Sequence, residues 1–333
     1  MSLKIIQPGL LTTLQDNGRY GYQKIGVITS GAMDVYSLRL ANILVGNDEY
    51  EGALEITLMG PVIEFTEDTL IAITGGYFAP TINGEIVPQF RPIAIKKGSI
   101  LQFNPCKVGC RAYLAVAGGY KVAKVMGSKS TYLRAQIGGF CGRALRANDI
   151  IEVEEINNYG KRMLENLLKG KRNSFAYTDW AIGKNHTSIE NLYKPIRVMP
   201  GMQYNDFTQG AQQIFVNEDF LITMQSDRMG YRLAGSKLEA KKHIEMISEV
   251  ASFGTIQVPP AGTPIILMAD HQTVAGYPVF GQVAQVDVAR VAQMKPEDKI
   301  RFKMISHDEG EQLFLEMEQY IENIKIAVKK LTQ

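Results

Sequence analysis

Apolar residues in this chain recur mostly at every second position, in short runs. Between residues 54 and 116 the segments LEITLMG, GPVIEF, TLIAITGG, PTINGEIV, RPIAIKKG, SILQF and CRAYLAVAGG follow one another, each bounded by Gly or Pro. That is the pattern of consecutive β-strands. Asn83-Gly84 sits between two apolar stretches. Both central residues of a type I′ turn need positive φ, which Asn and Gly accept, so the spacing predicts a two-residue antiparallel hairpin. Strand-like runs return at IRVMPG, IFVNEDFLITMQ, GTIQVPP, TPIILMAD and DKIRFKMI.

Two segments have helical spacing instead. Asp34 stands where an N-cap would, Tyr36, Leu40, Ile43 and Leu44 share one face, and Gly46-Asn47 closes the segment. From Glu311, the residues Leu313, Phe314, Met317, Tyr320, Ile321, Ile324, Val328 and Leu331 recur at steps of three and four, as on an amphipathic helix. The fold class expected is all-β, with a few helices and a C-terminal helix.

After residue 155 the pattern changes to NNYGKRMLENLLKGKRNSFAYTDW, with clustered Lys and Arg between Asn and Gly. The organisation expected is an N-terminal β domain over 1–155, a linker over 156–194, a C-terminal β domain over 195–306 and an amphipathic helix over 307–333. The halves read as diverged copies. Gln15 to Tyr22 matches Gln225 to Tyr231 with a one-residue gap, and Glu55 and Gly60 match Glu249 and Gly254. The spacing differs by roughly the length of the Asp34 helix, which reads as an insertion in the first copy.

Composition narrows the function classes. A length of 333 residues favours two domains, and a net charge of +2 gives no basic stripe for a nucleic-acid backbone. The N-terminal stretch meets Pro8 and Gly9 before any signal-peptide core, and no apolar run approaches a membrane span. Neither nucleic acid nor membrane is expected as a partner. Three cysteines, Cys106, Cys110 and Cys141, do not make a disulfide framework, so a reducing, cytoplasmic location is expected.

Most catalytic signatures are missing. GSKST at Gly127 to Thr131 has no glycine five residues earlier, so a nucleotide-binding phosphate loop is not encoded. His186, His243, His271 and His307 are scattered, no metal ligand set is expected, and Cys106 and Cys110 read as part of a strand turn.

Polar residues gather beside glycines in four presumed loops: QDNGRYG (Gln15 to Gly21), TSGAMD (Thr29 to Asp34), SDRMGYR (Ser226 to Arg232) and ADHQTVAGYP (Ala269 to Pro278). Arg offers a donor fork and Asp accepts or takes a proton, so such loops suit a small planar, anionic or amide-like ligand. Structural roles compete with this reading. Asp16, Asp227 and Asp270 can close Asx-turns, Asp34 can be a plain cap, and Arg19, Arg228, Glu55 and Glu249 can pair inside the fold.

Taken in order, LQDNGRYGYQKIGVITSGAMDVYSLRLANILVGN, LEITLMGP, RAYLAVAGGY, GSKST, GGFCGRAL, SDRMGYRL, ISEVASFGTIQVPPAGTPIILMAD and QTVAGYP span residues 14 to 278, and DKIRF extends the series to about residue 305. These segments resemble the KipA-like family, which is similar to allophanate hydrolase subunit 2 and to the biotin-dependent urea carboxyltransferase domain. The resemblance implies two cyclophilin-like β-barrel domains and the role of the C subunit in an ATP-dependent 5-oxoprolinase. Its partners would be a KipI-like second subunit and a third subunit. ATP would act at the level of the assembly.

Arg19, Arg228 and Arg232 would then stabilise developing charge, with Asp34 or Asp270 as proton acceptors. Gln272, Thr273 and Tyr277 would orient the substrate, and Gln15, Ser30 and Ser226 would bind it. The resemblance also implies two alternatives. One is carboxyl transfer to an amide or urea-type acceptor from biotin carried on another protein. The other is regulation by sequestering a KipI-like inhibitor. Against the family pattern, Thr74-Gly75-Gly76 replaces Thr-Gly-Ala, and Val274-Ala275-Gly276 replaces the usual Thr-Gly-Gly before Tyr-Pro.

Overall fold

The computed structural model describes residues 2–170, 172–183, 187–242, 244 and 246–331. His186 and His243 lie outside the described residues. The chain forms two compact units: Met1–Arg19, Asp34–Glu190 and Tyr320–Gln333 make the first, and Tyr20–Met33 with Asn191–Gln319 make the second.

The first unit carries β1 (Ser2–Gln7), β2 (Leu11–Gln15), α1 (Val35–Val45), β3 (Ala53–Thr57), β4 (Val62–Phe65), β5 (Thr69–Tyr77), β6 (Thr81–Ile82) and β7 (Glu85–Ile86). It continues with β8 (Pro92–Ile95), β9 (Ile100–Gln102), β10 (Val108–Val116), β11 (Ile150–Glu152), α2 (Asn158–Leu168) and β12 (Phe175–Tyr177). Two six-stranded sheets result, ordered β11-β1-β4-β9-β6-β7 and β12-β8-β5-β10-β3-β2. Strands β6 and β7 pair through Asn83 and Gly84, whose φ values of 50° and 86° are those of the expected type I′ hairpin.

Leu54, Ile56, Ile71, Ile73, Leu114 and Val116 alternate into the core of this unit. Their neighbours Glu55, Leu70, Ala72, Tyr113 and Ala115 are buried too, because α1 packs on β5 and β10 from the other side. That explains why TLIAITGG reads as an almost continuous apolar run. It also changes the picture of α1. Asp34 caps it and Gly46 (φ 76°) ends it, as expected, but every residue from Ser37 to Val45 is buried, so the helix is enclosed all round. The stretch 156–194 holds α2, capped by Asn157, and β12, which pairs with β8.

The second unit carries β13 (Ile196–Pro200), α3 (Gln209–Asn217), β14 (Phe220–Ile222), β15 (Gly230–Ala234), β16 (Glu249–Val250), β17 (Thr255–Gln257) and β18 (Ile265–Leu267). Then come β19 (Val274–Ala275), β20 (Val279–Val283), α4 (Gln285–Ala292), β21 (Lys299–Ile300), β22 (Phe302–Met304) and the first part of α5 (His307–Lys330), whose residues from Tyr320 on are counted with the first unit. One eight-stranded sheet runs β21-β14-β15-β18-β17-β20-β13-β22. Its two edge strands, β21 and β22, are separated in sequence only by Arg301, so the sheet curls into a nearly closed barrel. The protein is mainly β, as expected.

The expected strand IFVNEDFLITMQ is corrected in its first part: Ile214 to Asn217 finish α3, and only Phe220–Ile222 is strand. Thr208 caps α3 by accepting from the Ala211 N–H, and Ala211 and Phe215, one turn apart, face the core. Phe215 stacks on Phe302 at 4.3 Å and meets Phe280 at 4.7 Å, an aromatic packing that overrides the local β preference.

Asp287 in α4 is fully buried and grips Arg197 with both carboxylate oxygens (2.9 and 2.7 Å), while Arg290 sits 3.0 Å away. Burial raises the Asp287 pKa, but the Arg197 hydrogen bonds and the Arg290 charge outweigh it and hold the carboxyl below its usual 3.8. A depressed folded pKa gives stability that is complete above the unfolded pKa and is lost as pH falls through the folded one. Asp287→Asn is therefore expected to destabilise the second unit near neutrality, and the gap from wild type should shrink as pH drops below about 4. Denaturant melts between pH 2.5 and 7 check this. A gap independent of pH would remove the ionic explanation.

Candidate functional site

In the first unit the polar loop residues are buried and committed to their neighbours. Asp16 receives hydrogen bonds from Gly18 N (2.8 Å), Lys129 N (2.6 Å), the Ser128 hydroxyl (2.7 Å) and the Ser130 hydroxyl. The GSKST loop does form an anion cradle, but the anion it holds is the chain's own carboxylate. Lys129 is turned to Glu51 at 2.6 Å and to the Tyr120 carbonyl at 2.8 Å.

Arg19, 1 % exposed, donates to the carbonyls of Ser130 (2.7 Å) and Val125 (3.4 Å). Gly138 (φ 67°) lies so close that a Cβ there would stand 2.6 Å from the guanidinium, which accounts for a glycine in GGFCG. Gln15 donates from Nε2 to Thr13 Oγ1 (3.0 Å) and the Thr131 carbonyl (3.1 Å).

Asp34 accepts from Ser37 N (2.8 Å), the Ser37 hydroxyl (2.7 Å) and the Ser188 hydroxyl (2.6 Å), while its own N–H donates to Tyr113 Oη. Tyr113 donates to Glu55 at 2.6 Å, and burial first, then the Glu55 charge, push the phenol well above 10.0. Glu249, the counterpart expected for Glu55, is instead exposed on the two-residue β16.

In the second unit, Ser226, Arg228, Arg232, Asp270, Gln272, Thr273 and Tyr277 come from the ends and faces of neighbouring strands, and Ser30 joins them from the segment Tyr20–Met33. Ser30, Arg228 and Asp270 form a buried cluster, Arg232, Gln272 and Tyr277 line an open cleft, and Ser226 and Thr273, expected to bind substrate, are not among the residues lining it. In the cluster, Arg228 Nε and Nη2 reach the two Asp270 oxygens at 2.8 and 3.0 Å, and Nη2 also meets the Gly31 carbonyl at 2.6 Å. The Ser30 hydroxyl donates to Asp270 at 2.7 Å.

The cleft holds about 640 Å³, within the range of small-molecule sites. Its floor follows from strand alternation. Tyr231 and Leu233 of β15, Ile266 of β18 and Ile256 of β17 enter the barrel core, which leaves Arg232, Ile265 and Gln257 along the cleft. These three lie in one cross-strand row, Arg232 opposite Ile265 and Ile265 opposite Gln257. Strand spacing puts the Arg232 and Gln257 backbones about 10 Å apart.

Asp227, Gln225, Thr223, Thr263, Gln272 and Tyr277 complete the polar lining. Ser226 and Arg232 are joined back to back, since the Arg232 N–H donates to the Ser226 hydroxyl at 3.0 Å. Asp227 closes a turn by accepting from Met229 N at 2.8 Å. His271, between Asp270 and Gln272, shares a 2.7 Å contact with the Gln272 carbonyl, so its Nδ1 carries the proton. Burial depresses its pKa below 6.5 against the opposing pull of that hydrogen bond and of Asp270, which keeps the ring neutral.

Thr273 lends its carbonyl to Ala251 N (3.1 Å), and Val274 and Ala275 form β19 against β16. Ala275 is buried with Ala251 and Leu267, so a small apolar side chain has a packing role at this departure from the family pattern. Gln257 and Thr263 escaped the sequence reading. An amide inside the apolar run Thr-Ile-Gln-Val was the available signal for the first, and nothing marked the second.

The match that decides the family covers the cleft and the buried cluster beside it: residues 25–304 fit the carboxyltransferase domain, subdomain A and B. The chain belongs to that family. Within it, the chain is 34% identical over 316 residues to the 5-oxoprolinase C subunit of Haemophilus influenzae, covering 95% of each. It is 36% identical over 322 residues to the 5-oxoprolinase C subunit of Escherichia coli, covering 97% of each. Urea amidolyase of Saccharomyces cerevisiae is 34% identical across 94% of this chain, but this chain spans only 17% of that enzyme. The crystal structure of Kluyveromyces lactis urea carboxylase superposes with a TM-score of 0.86 at 31% identity, covering 97% of this chain and 29% of that one.

Proposed function

We propose that this chain is the C subunit of an ATP-dependent 5-oxoprolinase and contributes, with partner subunits, to opening the cyclic amide of 5-oxoproline to glutamate. The observation that carries this reading is the end-to-end match with two 5-oxoprolinase C subunits, whereas the urea amidolyase match covers a small part of a much longer enzyme. The cleft chemistry supports it. 5-Oxoproline has a carboxylate beside a lactam, and the row Arg232, Ile265, Gln257 offers a cation, an apolar floor and an amide in that order.

Arg232 takes the carboxylate through its donor fork, and Gln257, Gln272 and Tyr277 hydrogen-bond the lactam. A lactam resists plain hydrolysis. Transfer of a phosphoryl group from ATP to the amide oxygen makes a leaving group, so that 5-oxoproline, ATP and two waters give glutamate, ADP and phosphate. ATP is used at the level of the assembly, for the cradle formed by GSKST is filled by Asp16. The partners are a KipI-like second subunit and a third subunit, in the cytoplasm, where the three free thiols stay reduced.

Biotin-dependent carboxyl transfer is the second reading, favoured by the carboxyltransferase family match and the urea carboxylase superposition. In that case the same cleft takes an amide or urea-type acceptor, and biotin arrives on another protein. One experiment separates the two. Glutamate formation from 5-oxoproline and ATP is measured with this chain, its KipI-like partner and the third subunit, omitting each in turn. Glutamate only in the full mixture is the expected result. A stable complex that forms no glutamate but carboxylates an amide acceptor from carboxybiotin would replace the first reading with the second.

A further inference from the structure

Arg228 and Asp270 sit at the back of the cleft without lining it. Asp227 and Met229 line one wall and Gln272 another, while Arg228 and Asp270, 7 and 5 % exposed, turn inward between these neighbours. Each wall is thereby tied to the other: Asp270 N donates to the Arg228 carbonyl at 2.7 Å, and Met268 N to the Met229 carbonyl at 3.0 Å. The side chains reach a third segment, for the Arg228 guanidinium meets the Gly31 carbonyl and Asp270 receives the Ser30 hydroxyl.

That segment is held in an uncommon shape. Ser30 has φ 57° and Gly31 φ 97°; glycine adopts such values freely, serine does not. A non-glycine residue in this region persists where its surroundings over-determine it. Here the Ser30 hydroxyl bond, the Arg228 bond to Gly31 and the burial of Met33 in the barrel core supply that constraint. The Asp270 carboxylate meanwhile accepts from Arg228 Nε and Nη2 and from the Ser30 hydroxyl, which suits it to holding the loop.

We propose that Arg228 and Asp270 are positioning residues, a buried clamp that fixes the Thr29–Met33 loop to both walls of the cleft, and that the loop's set conformation is what the site needs for turnover. For its kinetic consequence the proposal rests on the 5-oxoprolinase reading; for its structural part it does not.

The test therefore has two arms, both on the full chain. Hydrogen exchange of backbone amides is followed in peptides covering residues 27–34 and 265–275 of wild type, Ser30→Ala, Arg228→Lys and Asp270→Asn. Exchange at 29–33 should quicken at least tenfold in Arg228→Lys, which keeps the charge but cannot span Asp270 and Gly31 together, and in Asp270→Asn. In the assembled enzyme, Ser30→Ala should lower kcat about tenfold with KM for 5-oxoproline and the melting temperature nearly unchanged. A loop that exchanges as slowly in Arg228→Lys and Asp270→Asn as in wild type overturns the clamp whatever the assembly catalyses. Faster exchange with unchanged kcat in Ser30→Ala overturns the link to turnover. A wild-type assembly that makes no glutamate defeats the 5-oxoprolinase reading and leaves the exchange arm to decide the clamp.

Discussion

Arg232→Ala is expected to cut kcat/KM for 5-oxoproline about 100-fold in the complete assembly, chiefly through KM. The reason is where the contact falls on the substrate. In the proposed pose Arg232 faces the substrate carboxylate, which does not change charge as the lactam opens, so that bond would be of similar strength in the ground and transition states. Loss of such uniform binding raises KM and leaves kcat nearly intact. The substitution should spare the fold, since Arg232 projects from the exposed face of β15 while Tyr231 and Leu233 hold the strand to the core. Arg232→Lys should recover part of the loss, because a point charge replaces a bidentate fork. A substrate lacking the carboxylate, 2-pyrrolidinone, should be turned over poorly by wild type and no worse by the variant. If Arg232→Ala penalises both compounds equally, Arg232 serves something other than the carboxylate.

Local chemistry made much of the fold readable. The Asn83-Gly84 hairpin, the Asp34 cap and the Gly46 stop depend on residues a few positions apart, and each formed as expected. Features that depend on distant partners were not readable. Helix α3 hides in a β-favouring string because its Phe215 is claimed by Phe280 and Phe302, both far along the chain. Nothing in TSGAM says that Met33 belongs to the core built from residues 191–319, since one methionine after a glycine turn carries no period. Loop polarity brought Arg232, Gln272 and Tyr277 to attention, and the structure puts all three on the cleft. The same polarity marked Gln15, Arg19, Asp16 and Asp34, each enclosed by hydrogen bonds within the first unit. Sequence alone could not separate these sets, because a polar residue beside glycine looks the same whether its partner is a ligand or a backbone amide.

Asp16→Ala should be the most destabilising single change in the first unit's loops, at about 3–5 kcal/mol. The carboxylate is 7 % exposed and is the common acceptor for Gly18 N, Lys129 N and the hydroxyls of Ser128 and Ser130. Removing it leaves several inward-pointing donors with no acceptor and no easy route for water. The Asp16 N–H also reaches Ser130 Oγ (3.0 Å), so the loop from 127 to 131 and the end of β2 would separate together. Arg19 depends on the Ser130 carbonyl and would loosen with them. Asp16→Asn is a sharper probe. One oxygen can still serve Gly18 and the serines, but an amide NH₂ would then face Lys129 N, donor against donor, so most of the loss should remain. Both can be read from denaturant melts and from exchange of the 127–131 amides. If the cradle is a true anion site filled from within, acetate or formate at high concentration should restore part of the stability of Asp16→Ala and none of that of Asp16→Asn, whose side chain still occupies the space. Stability unchanged by Asp16→Ala, or restored equally in both variants, would mean that GSKST does not depend on an internal anion for its shape.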